Sequence, residues 1–465
     1  MNLYEALRKR GFEQIDATPY KNIDVWQSWY EGDVKKFHTY RVFNGSKHVQ
    51  CRRYTMGMGK KVAEDWASLL MNEKVAITLE GEKEQTFIDE VFEANNFWIK
   101  VNELQEHKAA TGTTAIVPRV AGALASEDGT VEGGEIKLDY VTAQNIVPLS
   151  WENGIATECA FATDVIQGKD KFIYVQIHRK AENGKYDIEN VLYSNRNGSV
   201  NEVELSSVKG FENVAAVVHT DSEEPLFVID RMNIANNTDI SSPMGVSVYA
   251  NAIDQLKGVD IAYDSYVNEF VLGKKRIFVL PEFTKNIEGE PVFDPNDTVY
   301  YVLQNDEGNN IHEIDMSLRT AEHNAGIQDM LNALSSKVGF GNQHYQFDRG
   351  SITTATQIIS ENSDMFRNVK KHEIILENVL IKLCRTLLRL GNQYQNKGLN
   401  EDVEISVDFD DSIIEDKTAE RANDRMDVQM GVMNLYEYRM KWFNEDEQTA
   451  KAALPQMESL IGAEV

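Results

Sequence analysis

The chain has 465 residues, 42% of them hydrophobic, and a formal net charge of −27. It is long enough for a sizeable core and for more than one domain. A protein that grips DNA through its phosphates is usually basic, so tight DNA binding over the whole surface is excluded. The acidity fits two interpretations: a wall past which DNA slides, or solubility alone.

Targeting signals are not found in the sequence. No apolar run reaches the roughly 18 residues of a membrane span, and the first residues lack the basic-then-apolar pattern of a signal peptide. The three cysteines, Cys51, Cys159 and Cys384, lie far apart and show no zinc-binding spacing. This pattern favours a reducing cytoplasm.

The first 240 residues mix strands and helices. Apolar periodicity and turn residues predict a strand near 49–54, a helix over 60–71, a strand over 75–79, one helix over 86–104, a strand over 113–117, and a strand-rich stretch over 135–230 with turns at 182–184 and 197–198. This region therefore belongs to the α+β class.

A long helix is predicted from 242 to 273. Ser242 is a good N-cap, Pro243 suits the first helical position, and Gly273 ends the helix. Apolar side chains recur every three or four positions along it, namely Tyr249, Ile253, Leu256, Val259, Tyr263, Tyr266 and Phe270. A helix of roughly 40 Å needs a partner helix or a symmetric neighbour to cover this stripe.

A small module separates this helix from a second one. Strands are predicted at 277–280 and 299–303, and the second helix at 318–338, followed by Gly339 and Gly341. The apolar face of the second helix consists of Ile327, Met330, Leu331, Leu334 and Val338. The two helices are expected to form an antiparallel stalk with the module at its tip. Either a ring of copies covers the stalk, or the stalk is an arm packed on its own globular domain.

A polar segment, 340–352, leads from the stalk into a third long helix. A capping box, Thr354 with Gln357, opens that helix, and Gly391 is predicted to end it. The remaining elements are a strand over 403–409 and short helices whose capping boxes pair Asn434 with Glu437 and Asn444 with Glu447.

Three segments of the sequence partly match known catalytic motifs. The segment 57–61 (GMGKK) lacks the spacing and the hydroxyl of a P-loop, which favours an ordinary helix N-terminus. His372-Glu373 lacks the second histidine of a zinc-protease helix. Asp408, Asp410 and Asp411 are the best metal candidates, because alternate residues of a strand share a face and their carboxylates suit Mg²⁺. The alternative is a strand end followed by a solvated turn.

Two groups of polar residues can each be interpreted either as structural or as a binding site. The basic residues Lys274, Lys275 and Arg276 follow a helix C-terminus, where the dipole favours cations, but they also suit a contact with DNA or an acidic partner. The second group comprises Lys337, Asn342, Gln343, His344 and Tyr345. In a ring these residues would line a constriction, and otherwise they form an ordinary polar loop.

Several stretches, taken in chain order, carry a family resemblance. They are 29–32 (WYEG), 58–75, 243–247 (PMGVS) continuing through Asp260, Tyr263 and 268–270 to 274–279, then 354–359 leading to 371–373, and finally 407–416 with Gly431 and 445–447. Through their joint order the chain resembles the portal proteins of tailed double-stranded DNA bacteriophages, of the type found in long-tailed phages of Gram-positive hosts.

This resemblance implies a fold and an assembly. The α+β portal fold would comprise a mixed αβ wing (1–240), a first stem helix (241–273), a small αβ clip (274–317), a second stem helix (318–339), a tunnel loop (340–353), a long kinked wing helix with a returning strand (354–416) and a short helical crown (417–465). The family forms a ring, usually of twelve subunits, at one capsid vertex. It has no known catalytic centre, and neither metal nor cofactor is expected.

The resemblance also implies partners and a route for DNA. Expected partners are the terminase large subunit, a head–tail connector or adaptor protein, the major capsid and scaffolding proteins, and double-stranded DNA in the channel, with no membrane. The expected location is the capsid vertex of the virion, and the host cytoplasm during assembly. Lys337 and residues 342–345 would face the DNA, and Lys274–Arg276 would form the clip base. Deleting 341–349 is expected to leave rings intact but to impair packaging or retention of DNA. The alternative function is a Mg²⁺-dependent nuclease or phosphoryl-transfer enzyme.

Overall fold

A computed structural model describes residues 3–12, 15–43, 47–71, 75–122, 124–125, 131–196, 199–272, 276–279, 300–302, 311–314, 317–347, 355–409, 417–443 and 445–454. It is 46% helix and 24% strand, which confirms the α+β class. The helices are α1 (Leu3–Lys9), α2 (Thr18–Tyr30), α3 (Lys35–His38), α4 (Met58–Leu70), α5 (Glu82–Ala94), α6 (Phe97–Thr111), α7 (Ile253–Leu272), α8 (Thr320–Val338), α9 (Ala355–Gln395), α10 (Lys417–Met430), α11 (Leu435–Phe443) and α12 (Glu447–Ala452).

The strands form six sheets within the described residues. They are β1 (Thr39–Phe43), β2 (His48–Arg52), β3 (Ala76–Leu79), β4 (Thr113–Ala121), β5 (Leu124–Ala125), β6 (Val131–Glu132), β7 (Glu135–Thr142), β8 (Ile146–Glu152), β9 (Ile155–Gln167), β10 (Asp170–Lys180), β11 (Tyr186–Arg196), β12 (Ser199–Val203), β13 (Val217–His219), β14 (Val228–Arg231), β15 (Arg276–Val279), β16 (Tyr300–Val302), β17 (Ile311–Ile314) and β18 (Ile405–Asp408). The largest sheet is antiparallel in the order β12-β11-β10-β9-β8, with β13 paired to β11.

The main core lies where helices cover the sheet β14-β4-β7. Helices α4, α5, α6 and α9 bring buried side chains such as Trp66, Ile88, Phe97 and Leu383 into one cluster. A second, smaller cluster forms where Leu7 of α1 packs with residues of the large sheet. The returning strand β18 pairs with β3 in antiparallel fashion, which ties the end of α9 back to this domain.

The single helix predicted over 86–104 is wrong, because the chain breaks into α5 and α6. Asn96 adopts a left-handed conformation with φ of 49°. The Asn95 side chain donates to the carbonyl of Ile136 at 2.9 Å and accepts from the amide of Leu138 at 3.0 Å. These bonds replace helical ones and hold the turn against β7.

The predicted start of the first stem helix is also wrong. Helix α7 begins at Ile253, and residues 243–252 are irregular but mostly buried. Their backbone groups bond elsewhere: the Gly245 amide donates to the Thr113 hydroxyl at 2.7 Å, and the Val248 amide to the Ala109 carbonyl at 3.0 Å. A Cβ on Gly245 would collide with the carbonyl oxygen of Gly112, so this close packing overrides the capping signal at Ser242.

Helix α8 matches the prediction closely, and α7 and α8 pack against each other. Met330, expected on the buried face, is 39% exposed. Between the two helices in the chain lie the three strands of one sheet, in which β15 is parallel to β16 and antiparallel to β17. The stalk helices and an intervening strand module are therefore both present.

The apolar stripe predicted from Tyr249 to Phe270 is covered in part by the chain itself, which is one of the two alternatives considered above. Tyr249, Leu256 and Val259 are buried within the chain's own core, whereas Phe270, towards the tip, is 44% exposed. Among the described residues of the stripe, the exposed one lies in the distal part, which is therefore open to another partner. The root of the stalk is thus packed on its own subunit.

The predicted end of the third helix at Gly391 is wrong, because α9 continues to Gln395. A Cβ on Gly391 would lie 2.6 Å from Cζ of Phe87, so this glycine permits close packing with α5. In the last helices, Glu437 accepts from the Asn434 amide at 2.7 Å, as the capping box predicts. Asp446 caps α12 by accepting from two amides, and Asn444 lies outside the described residues.

Candidate functional site

Two buried carboxylates attach the first part of α7 (253–264), which we call the root of the stalk, to the rest of the chain. Asp260 accepts a hydrogen bond from the Met56 amide at 2.8 Å and lies 3.0 Å from Nε2 of His38. One turn further along, Asp264 accepts from the Tyr54 amide at 2.9 Å. Because these contacts are buried, they fix the stalk to the segment that precedes α4.

The distal part of the stalk carries a two-pronged ion pair. Nε and a terminal nitrogen of Arg319 lie 3.0 and 2.7 Å from the Glu269 carboxylate. Bonds from Arg319 lower the pKa of Glu269 to about 2. This pair ties the last turns of α7 to the residue before α8.

The turn after α8 is clamped between α4 and α9. Gly339 is left-handed, with φ of 98°, and ends the helix. Phe340 stacks on Trp66 with ring centroids 5.0 Å apart, and the Trp66 indole donates to the Val338 carbonyl at 3.2 Å. From α9, the Asn368 side chain donates to the Gly339 carbonyl at 2.8 Å. The segment that follows therefore starts from a fixed position.

Tyr345 lies in the interior, unlike the DNA-facing position predicted for it. It is 7% exposed, and its carbonyl accepts from the Gln328 side chain at 2.8 Å. The same Gln328 side chain accepts from the Phe347 amide at 2.8 Å. Burial and the nearby Asp65 carboxylate raise the pKa of Tyr345, so its hydroxyl stays neutral. The ring is an anchor because its apolar surface fills the space beside α4.

The other four residues predicted to face DNA lie at or near the surface. Lys337 and Asn342 are exposed, and Gln343 is half-buried with φ of 71°. Nε2 of His344 lies 3.7 Å from the Asp65 carboxylate, which orients its ring towards α4. The structure thus brings three adjacent polar residues together in one turn beside the root of the stalk.

The remaining predicted residues fall mostly outside what the structure describes. Lys274, Lys275, Asp410 and Asp411 lie outside the described residues, and only the backbone of Arg276 is described, at the start of β15. Asp408 is exposed on the last position of β18. Within the described part of the chain, no three acidic, histidine or cysteine side chains gather as metal ligands. None of the described helices is both long and apolar enough to span a bilayer.

The segment 57–61 behaves as a helix N-terminus. Gly57 is left-handed, with φ of 69°, and precedes α4. Lys60 pairs with Glu106, and Lys61 lies 2.5 Å from the Asp65 carboxylate. Because both ammonium groups are bound within the chain, they are not arranged as a phosphate cradle.

Sequence reasoning missed the residues that hold the site in place. Asp260 and Asp264 stand four positions apart, beside the apolar stripe of α7, so their carboxylates fall on one side of the helix next to its buried face. Gln328 and Trp66 offered no comparable signal, because their partners lie 17 residues or more away in the chain. These contacts depend on the tertiary arrangement.

Comparison with known proteins identifies the family. The family model for phage portal proteins of the SPP1 Gp6-like type matches residues 12–458. Among solved structures, a chain of the neck of a native GTA particle computed with C12 symmetry matches with 12% identity and a TM-score of 0.36, covering 82% of this chain and 88% of that chain. A match at that level adds no weight to the assignment, and no curated protein sequence matches the chain. Because the family model spans nearly the whole sequence, this chain belongs to the SPP1 Gp6-like family of phage portal proteins.

Proposed function

We propose that the chain forms a ring-shaped channel at one capsid vertex, through which the genome is packaged and later ejected and at which head and tail join. The family match over residues 12–458 carries this conclusion. The two-helix stalk with a strand module between its helices is the architecture that such a channel requires. The role is structural: the protein encloses DNA and connects other proteins.

The finer assignments rest on the family resemblance. We infer a ring of twelve subunits, assembled in the host cytoplasm with scaffolding and major capsid proteins. The terminase large subunit docks on it during packaging, and a head–tail connector protein binds it afterwards. The clip base at Lys274–Arg276 is a candidate contact for these partners.

The solution mass tests the ring. A value of about twelve times 52.7 kDa is expected from light scattering or native mass spectrometry. Isolated rings of a neighbouring subunit number would still support a channel. A monomer or dimer at all concentrations would contradict it.

The turn at 342–344, together with Lys337, is the proposed DNA contact. Phe340 and Tyr345 are buried on either side, so the turn is held with Asn342 at the surface. Deleting 341–349 would also remove the Tyr345 anchor, and substitution of surface side chains is therefore the sharper test.

Changing Asn342 and Gln343 to Ala is expected to leave the ring mass unchanged and to reduce packaging or retention of DNA in assembled particles. The matched control changes Asn183, an exposed turn residue between β10 and β11, to Ala. Normal packaging in the double variant would remove this turn from the DNA path.

The nuclease alternative has no observation in its favour. Asp408 is exposed at a strand end, and the family is one of structural proteins. Mg²⁺-dependent cleavage of plasmid DNA that is lost in Asp410→Ala would revive it.

A further inference from the structure

The hairpin β1–β2 and its flanks are basic in an acidic chain. Residues 35–53 contain six Lys or Arg residues and no Asp or Glu, whereas the other 446 residues have 41 basic and 74 acidic side chains. The six are Lys35, Lys36, Arg41, Lys47, Arg52 and Arg53. Because the positive charges are clustered here, the hairpin has a local positive potential, whereas the negative charge of the rest of the chain repels anions.

The register of the hairpin gives it two different faces. Directly opposed residues share a face, and Thr39 pairs with Arg52, Arg41 with Gln50 and Phe43 with His48. This first face is exposed and carries hydrogen-bond donors on five of its six residues, the exception being Phe43, which is 58% exposed. We call it the basic face. The opposite face pairs Tyr40 with Cys51 and Val42 with Val49, and is apolar.

Three of the six cations have no ion-pair partner among the described residues. Lys35, Lys36 and Arg41 form no ion pair with any residue that the structure describes, and the charges of Arg52 and Asp33 stand 3.7 Å apart on exposed side chains. Arg53 differs: its guanidinium lies over the rings of Phe37 and Tyr40 and donates to the Phe37 carbonyl at 2.8 Å.

The base of the hairpin is anchored to α7. His38 lies 3.0 Å from Asp260 of α7 with both side chains buried, and the Tyr54 amide donates to Asp264. A two-stranded hairpin alone is marginally stable, so these anchors and the Arg53 stack hold it in place. The basic face is therefore presented from the root of the stalk in a fixed direction.

We propose that the basic face of β1–β2 binds the phosphate backbone of double-stranded DNA. A two-stranded ribbon has a width that the major groove admits, and Arg side chains suit phosphate because they donate in a planar fork. None of the residues paired across this face is acidic, and the nearest described carboxylate, Asp33, lies 3.7 Å from Arg52. The acidic remainder of the chain repels phosphate, which favours this hairpin over most of the surface. An acidic protein surface, for instance on a second copy of the chain, is the competing partner and becomes an outcome of the test.

This proposal rests on the proposed portal function, because the DNA it invokes is the genome that passes through the portal. The test uses the assembled protein, a fluorescein-labelled 30-base-pair duplex of arbitrary sequence, and anisotropy measured over a series of NaCl concentrations. The variant is Arg41→Gln with Arg52→Gln, both exposed, so the fold should be retained. The control removes two charges from another exposed hairpin, with Lys169→Gln in the turn between β9 and β10 and Lys171→Gln at the start of β10.

Each lost phosphate contact changes the slope of log affinity against log salt by about 0.9, so the double variant should have a slope shallower by about 2. The control should bind like the unmodified protein. Equal binding by variant and unmodified protein, or no binding by the unmodified protein at low salt, would overturn the proposal. A fall in the mass of the variant's assembly with DNA binding unchanged would assign the basic face to an acidic protein neighbour instead. If the ring mass is retained while the DNA result is negative, the hairpin assignment fails and the portal assignment stands.

Discussion

At the scale of single residues, His178 shows how burial controls a titratable group. It is 1% exposed and lies edge-on between Phe161 and Phe227, with centroids 5.4 Å away in each case. Neither ring nitrogen has a hydrogen-bond partner among the described residues. Burial lowers the pKa of His178 to about 3, so the folded protein holds this ring neutral.

This predicts a specific dependence of stability on pH. Between about pH 6.5 and pH 3 the unfolded chain binds a proton at His178 that the folded chain excludes, so stability is full above pH 6.5 and falls as pH falls through this window. The slope from one such group reaches about 1.4 kcal/mol per pH unit. His178→Phe should reduce the loss of unfolding free energy between pH 7 and pH 5, measured by denaturant titration at both values.

The control for this experiment is His48→Gln, because His48 is exposed. That variant should keep the pH dependence of the unmodified protein. If His178→Phe loses as much stability as the unmodified protein on acidification, the ring is not held neutral by burial.

At the scale of elements, two helical glycines have opposite roles. In α4, a Cβ on Gly59 would collide with the backbone carbonyl of Trp29 in α2. In α8, no described residue outside the helix itself has a heavy atom within 4 Å of the position that a Cβ on Gly326 would take. Sequence patterns treat both glycines alike, and only the approach of a neighbouring element distinguishes them.

Gly326→Ala is expected to stabilise the protein by about 0.5–1 kcal/mol, since alanine restricts the unfolded chain and favours helix. Gly59→Ala gains the same helix propensity but must separate α2 from α4, and it should destabilise by about 1–3 kcal/mol. Melting temperatures of the two variants should shift in opposite directions. An unchanged or raised melting temperature of Gly59→Ala would show that α2 and α4 do not pack this closely.

At the scale of the whole molecule, the distal stalk presents apolar surface that the chain itself leaves open. Phe270 and Val271, in the last turn of α7, are 44% and 49% exposed. In a portal ring, neighbouring stalks are the natural cover for these side chains.

Phe270→Asp with Val271→Asp should therefore shift the protein from rings towards smaller species, because each charge would have to be desolvated at the interface. Light scattering at a series of protein concentrations measures the change. Circular dichroism should show the unmodified helix content. Ile166→Asp, on the exposed β9–β10 hairpin, is the matched control, and rings that persist in the double variant would place the interface elsewhere.

The sequence by itself determined the class, the family and the main elements of this protein. Local spacing of apolar residues was enough to predict α4, α8, β3 and the strand-rich stretch, because that signal lies within each element. The ordered set of short stretches was enough for the family resemblance, which the family model confirms.

Only the tertiary structure decided where helices start and stop and which polar residues are buried. Ser242 and Pro243 satisfy every local rule for a helix start, yet the backbone that follows bonds to the end of α6 and to β4. Gly391 looks like a helix stop and is a contact with Phe87. Tyr345 looks like a loop residue and fills a space beside α4. In each case the deciding partner is remote in the chain, and its contribution to packing and hydrogen bonding exceeds the small energies of local propensity.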